Sequence, residues 1–123
     1  MKPAQTGLRR IYDATVYSVA GLTAAWRHEA AFRQECIAVV ALLPLAFWLG
    51  RNPAEDAVLI ASLCIVILTE LLNSAIEALT DRIGKERHEL SGRAKDLGSA
   101  AVMLSLLLVL SVWGVIGYSR FGG

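Results

Sequence analysis

The stretch Glu70-Leu71-Leu72-Asn73-Ser74-Ala75-Ile76-Glu77 decides how the chain is read, because it sets two carboxylates and an amide on a helix otherwise apolar enough for a membrane. At about 100° per residue, Glu70, Asn73 and Glu77 share a narrow stripe that Ser74 and Asp81 extend. Ionisable groups are costly in apolar surroundings, so the stripe reads as a functional site.

Outward from this stretch the charges are segregated. Cys36 to Gly50 and Leu97 to Ser119 carry none, and Ala57 to Thr80 carries only Glu70 and Glu77. A helix of roughly 20 residues crosses a bilayer core, so these stretches predict three transmembrane helices. Hydrophobic residues make up 55% of the chain, which argues against a soluble helical bundle. Pro44 in the first span is tolerable where neighbours satisfy the freed carbonyl. The residues before Cys36 include Arg9, Arg10, Asp13, Arg27, Glu29, Arg33 and Glu35 without a long apolar core, which does not fit a cleavable signal peptide.

Lys2, Arg9, Arg10, Arg27 and Arg33 precede the first span, and Arg82, Lys85, Arg87, Arg93 and Lys95 lie between the second and third, whereas Arg51 and Arg120 stand alone elsewhere. The positive-inside rule then predicts a cytoplasmic amino terminus and a carboxyl terminus facing outward. A net charge of +1 gives no case for a nucleic-acid partner.

Leu8, Ile11, Tyr12, Thr15, Val19, Leu22 and Trp26 recur at helical spacing, with Arg9, Arg10, Asp13 and Arg27 elsewhere on the wheel. This predicts an amphipathic surface helix in the headgroup layer, bent near Gly21. Gly84 is expected to end the second span, and Ser91 to cap the third, with Lys95 and Asp96 in its first turns. Lys95 and Ser99, one turn apart, then lie beside the polar half of the second span. Glu70 is placed at the membrane interface with Glu77 roughly 10 Å beyond it, since Glu77 and Asp81 would there meet water. Cys36 and Cys64 read as packing residues, and Trp26, Trp48, Trp113 and Tyr118 as interface markers.

A carboxylate so placed could accept a proton from a lipid hydroxyl, outer carboxylates could hold Mg²⁺, and Lys95, Arg10 and Arg93 could neutralise phosphate. Neither GxxxxGK[ST] nor GxGxxG occurs, so an ATP site would have to be assembled from the helices themselves.

Ala24-Ala25-Trp26, Glu29, Ala31-Phe32-Arg33-Gln34-Glu35, the Glu70–Glu77 stretch, Asp81-Arg82-Ile83-Gly84, Glu89-Leu90-Ser91-Gly92-Arg93-Ala94-Lys95-Asp96 and Gly98-Ser99-Ala100-Ala101 together resemble the prokaryotic diacylglycerol kinases over nearly the whole chain. The resemblance implies an all-α integral membrane protein, a single kinase domain over 1–123, with a surface helix at about 5–28 and membrane-spanning helices at about 30–50, 54–83 and 91–119. It implies a homotrimer in the bacterial inner membrane that uses ATP and Mg²⁺ to phosphorylate diacylglycerol to phosphatidic acid. By matching motif, Glu70 is the general base, Glu29 and Glu77 are metal ligands, and Asn73 supports them. Lys95, Asp96 and Arg10 contact or position ATP or lipid, Glu86 and His88 sit at the nucleotide, and Ser18, Gln34, Glu35 and Ser99 line the lipid site.

Departures fall at Tyr17-Ser18-Val19-Ala20-Gly21-Leu22-Thr23, which lacks the Trp-Lys pair and following Arg of enterobacterial members, and at Lys85-Glu86-Arg87-His88. They bear on lipid preference and on contacts at the nucleotide edge. Undecaprenol kinase activity on the same fold is the nearest rival reading, although the RQE and ELSGRAKD segments favour diacylglycerol. A small membrane transporter or structural protein is the rival from another class.

Overall fold

A computed structural model describes residues 7–84 and 89–122, and all the elements among them are helical: α1 (Gly7–His28), α2 (Ala30–Leu49), α3 (Pro53–Ile83) and α4 (Glu89–Phe121). The last three are long and apolar enough to cross a membrane.

α1 runs unbroken through Gly21, contrary to the bend expected there. The break falls at Glu29, whose backbone is extended (φ −116°, ψ 104°) between α1 and α2. Arg33 explains how the joint is held: its guanidinium donates to the carbonyl oxygens of Trp26 (2.7 Å) and Arg27 (3.2 Å), which the end of α1 leaves unpaired.

In α2, Pro44 removes the N–H that would bond to the Val40 carbonyl. α3 starts on a strong signal. Asn52 accepts from the Glu55 N–H at 2.9 Å, Pro53 takes the first turn, and Glu55 and Asp56 sit where the helix dipole favours negative charge. α3 ends at Gly84, as the sequence indicates. α4 begins at Glu89, so Ser91 lies within the helix and does not cap it.

α3 is the central element, packed most extensively on α4 and also against α2. Ala46, Leu49 and Leu59 form a buried core near the α2–α3 turn, flanked by Ile60, Val112, Trp113 and Ile116. Trp113 is therefore part of the packing. Its indole N–H donates to Ser62 Oγ at 3.1 Å, while Thr69 Oγ donates to Ser105 Oγ at 3.0 Å farther along the same seam.

Arg51 ties the α2–α3 turn to α4, donating to Glu55 at 2.9 Å and to Ser119 Oγ at 2.6 Å. The bonded Glu55 carboxylate pushes the Arg51 pKa up from its ordinary value. Arg120 reaches the Leu49 carbonyl at 3.4 Å and lies over the rings of Trp48 and Phe121.

The partly buried Ser62–Trp113 bond yields a first prediction. A double-mutant cycle on Ser62→Ala and Trp113→Phe, read by unfolding in mixed micelles, should give a coupling of about 0.6 kcal/mol and no more than about 1.7. A coupling of zero would show that the bond does not join α3 to α4.

Candidate functional site

α3 has 31 residues and is roughly 46 Å long, well beyond a ~30 Å hydrocarbon core. Counted from the charged turn at Arg51, roughly 20 residues bring the boundary to about Leu72. Glu70 then stands at the edge, and Glu77 and Asp81 project past it.

Glu70 is buried, with 6% of its surface exposed. Glu35 of α2, Glu77 two turns along α3, and Glu29 at the α1–α2 joint all lie close enough for their charge to act on it. Three elements thus deliver carboxylates to one place. Among the described residues no three His, Cys, Asp or Glu side chains converge tightly enough to hold a metal by themselves. That suits Mg²⁺, which keeps several waters and takes one or two carboxylates together with substrate phosphates. Glu29 and Glu77, both half-buried, are a donor set of that kind.

Asn73, one turn from Glu70, faces α4. Its Oδ1 is buried without a hydrogen-bond partner and lies against Gly98. A Cβ at Gly98 would collide with that oxygen, would come to 3.3 Å from Asn73 Cγ, and would touch Ile76 Cδ1 at 3.5 Å. Gly98 is therefore what lets the helices close over Asn73.

One turn earlier on α4, Lys95 Nζ donates to Asp81 Oδ1 at 2.7 Å, with Glu77 within electrostatic range. The polar start of α4 thus lies beside the charged end of α3, as expected. Asp96 and Ser99 are exposed on α4, and Gln34 is exposed on α2, one position round from Glu35.

Arg10 stands apart. It is exposed near the start of α1, 19 residues before Glu29, a separation of roughly 28 Å along a continuous helix. One chain does not bring it to the carboxylates. Glu86 and His88 lie outside the described residues.

Between α1 and α3 runs a cleft of about 670 Å³. Its floor is apolar, formed by Leu22, Ala25, Leu71, Ala75 and Ala78, and Ser18, His28, Glu29 and Ser74 bring polar groups to it. Ser18 Oγ is committed to the Ala14 carbonyl at 2.8 Å.

Sequence reasoning passed over His28 as a lining residue. The signal was present: Ser18, Gly21, Ala25 and His28 form their own helical stripe, of small residues. The larger apolar residues of α1, among them Leu8, Ile11 and Tyr12, remain exposed. Attention went to the bulky stripe, and the small one faces α3.

The family model for prokaryotic diacylglycerol kinase matches residues 16–117. The chain is 50% identical over 117 residues to the diacylglycerol kinase of Escherichia coli, covering 95% of this chain and 96% of that protein. It is 51% identical over 112 residues to that of Pseudomonas aeruginosa, covering 91% of each. The diacylglycerol kinase of Helicobacter pylori strain 26695 is 38% identical over 112 residues, covering 91% of this chain and 88% of its own.

The close approach at Gly98 predicts a contrast between two glycines of one helix. Gly98→Ala should lower the thermal midpoint by several degrees, because its methyl meets the Asn73 amide. Gly114→Ala, with nothing within 4 Å of the added carbon, should leave the midpoint unchanged or raise it. Equal midpoints, read by circular dichroism in detergent, would refute the close approach.

Proposed function

The chain belongs to the prokaryotic diacylglycerol kinase family, and on that basis we propose that it transfers the γ-phosphoryl group of ATP to the free hydroxyl of diacylglycerol, forming phosphatidic acid. The observation that carries this reading is the buried Glu70, within electrostatic range of Glu29, Glu35 and Glu77 and next in sequence to Leu71, which lines an apolar cleft.

Glu70 takes the proton of the lipid hydroxyl as its oxygen bonds to the γ-phosphorus. The bond from that phosphorus to the β–γ bridging oxygen breaks, and ADP leaves. Mg²⁺ held by Glu29 and Glu77 would supply charge neutralisation for the phosphates.

Asn73 steadies this cluster from its seat against Gly98. Lys95 turns from Asp81 toward phosphate, while Asp96, Glu86 and His88 complete the nucleotide side. Ser18, Gln34, Glu35 and Ser99 line the lipid side.

Arg10 supports an assembly. Its separation from Glu29 within one chain is bridged if it serves a neighbouring copy, which supports sites between subunits; the number of subunits comes from the family resemblance, by which we assign a homotrimer. The exposed apolar residues of α1 rest in the headgroup layer of the bacterial inner membrane, with the amino terminus cytoplasmic and the carboxyl terminus periplasmic.

The deciding experiment follows radiolabelled phosphate from ATP into diacylglycerol and, in parallel, into undecaprenol. Diacylglycerol should be the better acceptor by kcat/KM, and the reverse order would overturn the substrate assignment. Glu70→Gln should lower the rate by ~10² or more with the fold retained, and a near wild-type rate would remove Glu70 as base.

Glu29→Gln and Glu77→Gln should each raise the Mg²⁺ concentration for half-maximal rate as well as lowering the maximum. An unchanged Mg²⁺ dependence in both would exclude them as ligands. Reassembled mixtures of inactive Glu29→Gln and Glu70→Gln subunits should regain activity. If proven mixed oligomers stay inactive, one chain supplies both residues.

A further inference from the structure

We propose that His28 and Ser74 donate hydrogen bonds to the ester carbonyl groups of the lipid, and that this pair sets a preference for ester-linked glycerolipids over alcohols without a carbonyl. The inference rests on the lipid kinase reading and adds to it the chemical feature of the acceptor that the cleft recognises.

The groups in the cleft separate by hydrogen-bonding role. Glu29 is an acceptor when ionised, and so is Glu70, which does not line the cleft but stands next to Leu71 and one turn from Ser74, which do. The Ser18 proton is directed at the Ala14 carbonyl, so that hydroxyl offers a ligand only its lone pairs. His28 and Ser74 remain. Both line the cleft, one from the end of α1 and one from α3, and neither has a hydrogen-bond partner among the described residues. An imidazole carries at least one N–H in either protonation state, and a serine hydroxyl can always donate. The cleft therefore presents two uncommitted donors above an apolar floor.

That pattern matches one class of lipid alcohol. A diacylglycerol has a hydroxyl that must give up its proton, two ester carbonyls that only accept, and chains that need an apolar bed. Ser74 follows Glu70 by four residues, roughly 6 Å along the same side of α3. This is the scale of the few bonds between the glycerol hydroxyl and the nearest ester carbonyl. A polyprenol brings the hydroxyl and an apolar chain but no acceptor for these donors, and a dialkylglycerol brings only ether oxygens, which accept hydrogen bonds more weakly than ester carbonyls.

The test compares 1,2-dioleoylglycerol with its dialkyl ether counterpart in mixed micelles, using the full chain. The wild type should favour the ester. His28→Ala and Ser74→Ala should each lower kcat/KM for the ester by about three- to tenfold. The loss should fall on KM for the lipid, with KM for ATP and the rate on the ether unchanged. His28→Asn, which retains a donor, should keep the preference.

Equal losses on both lipids, no preference in the wild type, or wild-type behaviour of both alanine variants would each overturn the proposal. Binding of the two lipids measured without nucleotide reads the same contrast with no turnover. Absence of transfer to any lipid alcohol would therefore defeat the kinase reading, while equal binding of ester and ether would defeat this one.

Discussion

The arrangement depends on keeping the Glu70 carboxylate out of water at the end of an apolar helix. Burial of a carboxyl group disfavours its ionised form and is sustained only where packing gives it no route to solvent. α3 meets that condition by being central: α2 covers it on one side, α4 on another, and the α1–α2 joint brings Glu29 toward the same point. The length of α3 completes the arrangement, since a helix that only spanned the bilayer would end near Glu70 and leave Glu77 and Asp81 with no scaffold.

Two features hold α4 in register with α3 at this end. Gly98 admits the Asn73 amide, and Lys95 pairs with Asp81 one turn earlier on α4. An exposed ion pair contributes little by itself. The steric contact at Gly98 is the stronger constraint, because a side chain larger than hydrogen would have to displace the Asn73 amide from its buried seat. At the α2–α3 turn the ties are satisfied hydrogen bonds from Arg51 and Arg120. α1, by contrast, is anchored through the Glu29 joint and the Arg33 bonds to its last carbonyls. The wall of the cleft that α1 provides is thus less firmly fixed than the wall that α3 provides.

Much of this was legible in the sequence, and the reasons are specific. The uncharged runs and the Glu70 stripe announce three long apolar helices and a polar edge because their signal is one-dimensional. Gly84 ends α3, though with an extended backbone (φ 167°) that any residue could adopt, and Lys95 lies beside the polar half of α3. The joint at Glu29 was not legible, since Gly21 is the weaker helix former and only the Arg33 side chain, reaching back across the break, explains why the chain turns later. That Trp113 also bonds to Ser62 was not legible, because the two lie 51 positions apart in sequence. The side of α1 that faces α3 was hidden because small residues carry little hydropathy, so a stripe built from Ser18, Gly21, Ala25 and His28 gives a weak moment.

The polar atoms left without partners differ in kind at the two ends. Near the α2–α3 turn Asp56 Oδ1 is buried and unpaired against Gly50, but it belongs to the first turn of α3, where free N–H groups and the helix dipole stabilise negative charge. Asn73 Oδ1 has no such compensation, because it sits in the middle of α3, far from either helix end. Ser74 and His28, with hydroxyl and imidazole uncommitted, are on that same half of the molecule. A folded chain pairs most of its buried polar groups, so the buried Asn73 oxygen marks a point that another molecule can complete, while the exposed His28 and half-buried Ser74 stay open to a ligand in place of water. These groups gather around the boundary reached by Glu70, where a lipid alcohol and a water-soluble phosphoryl donor can meet.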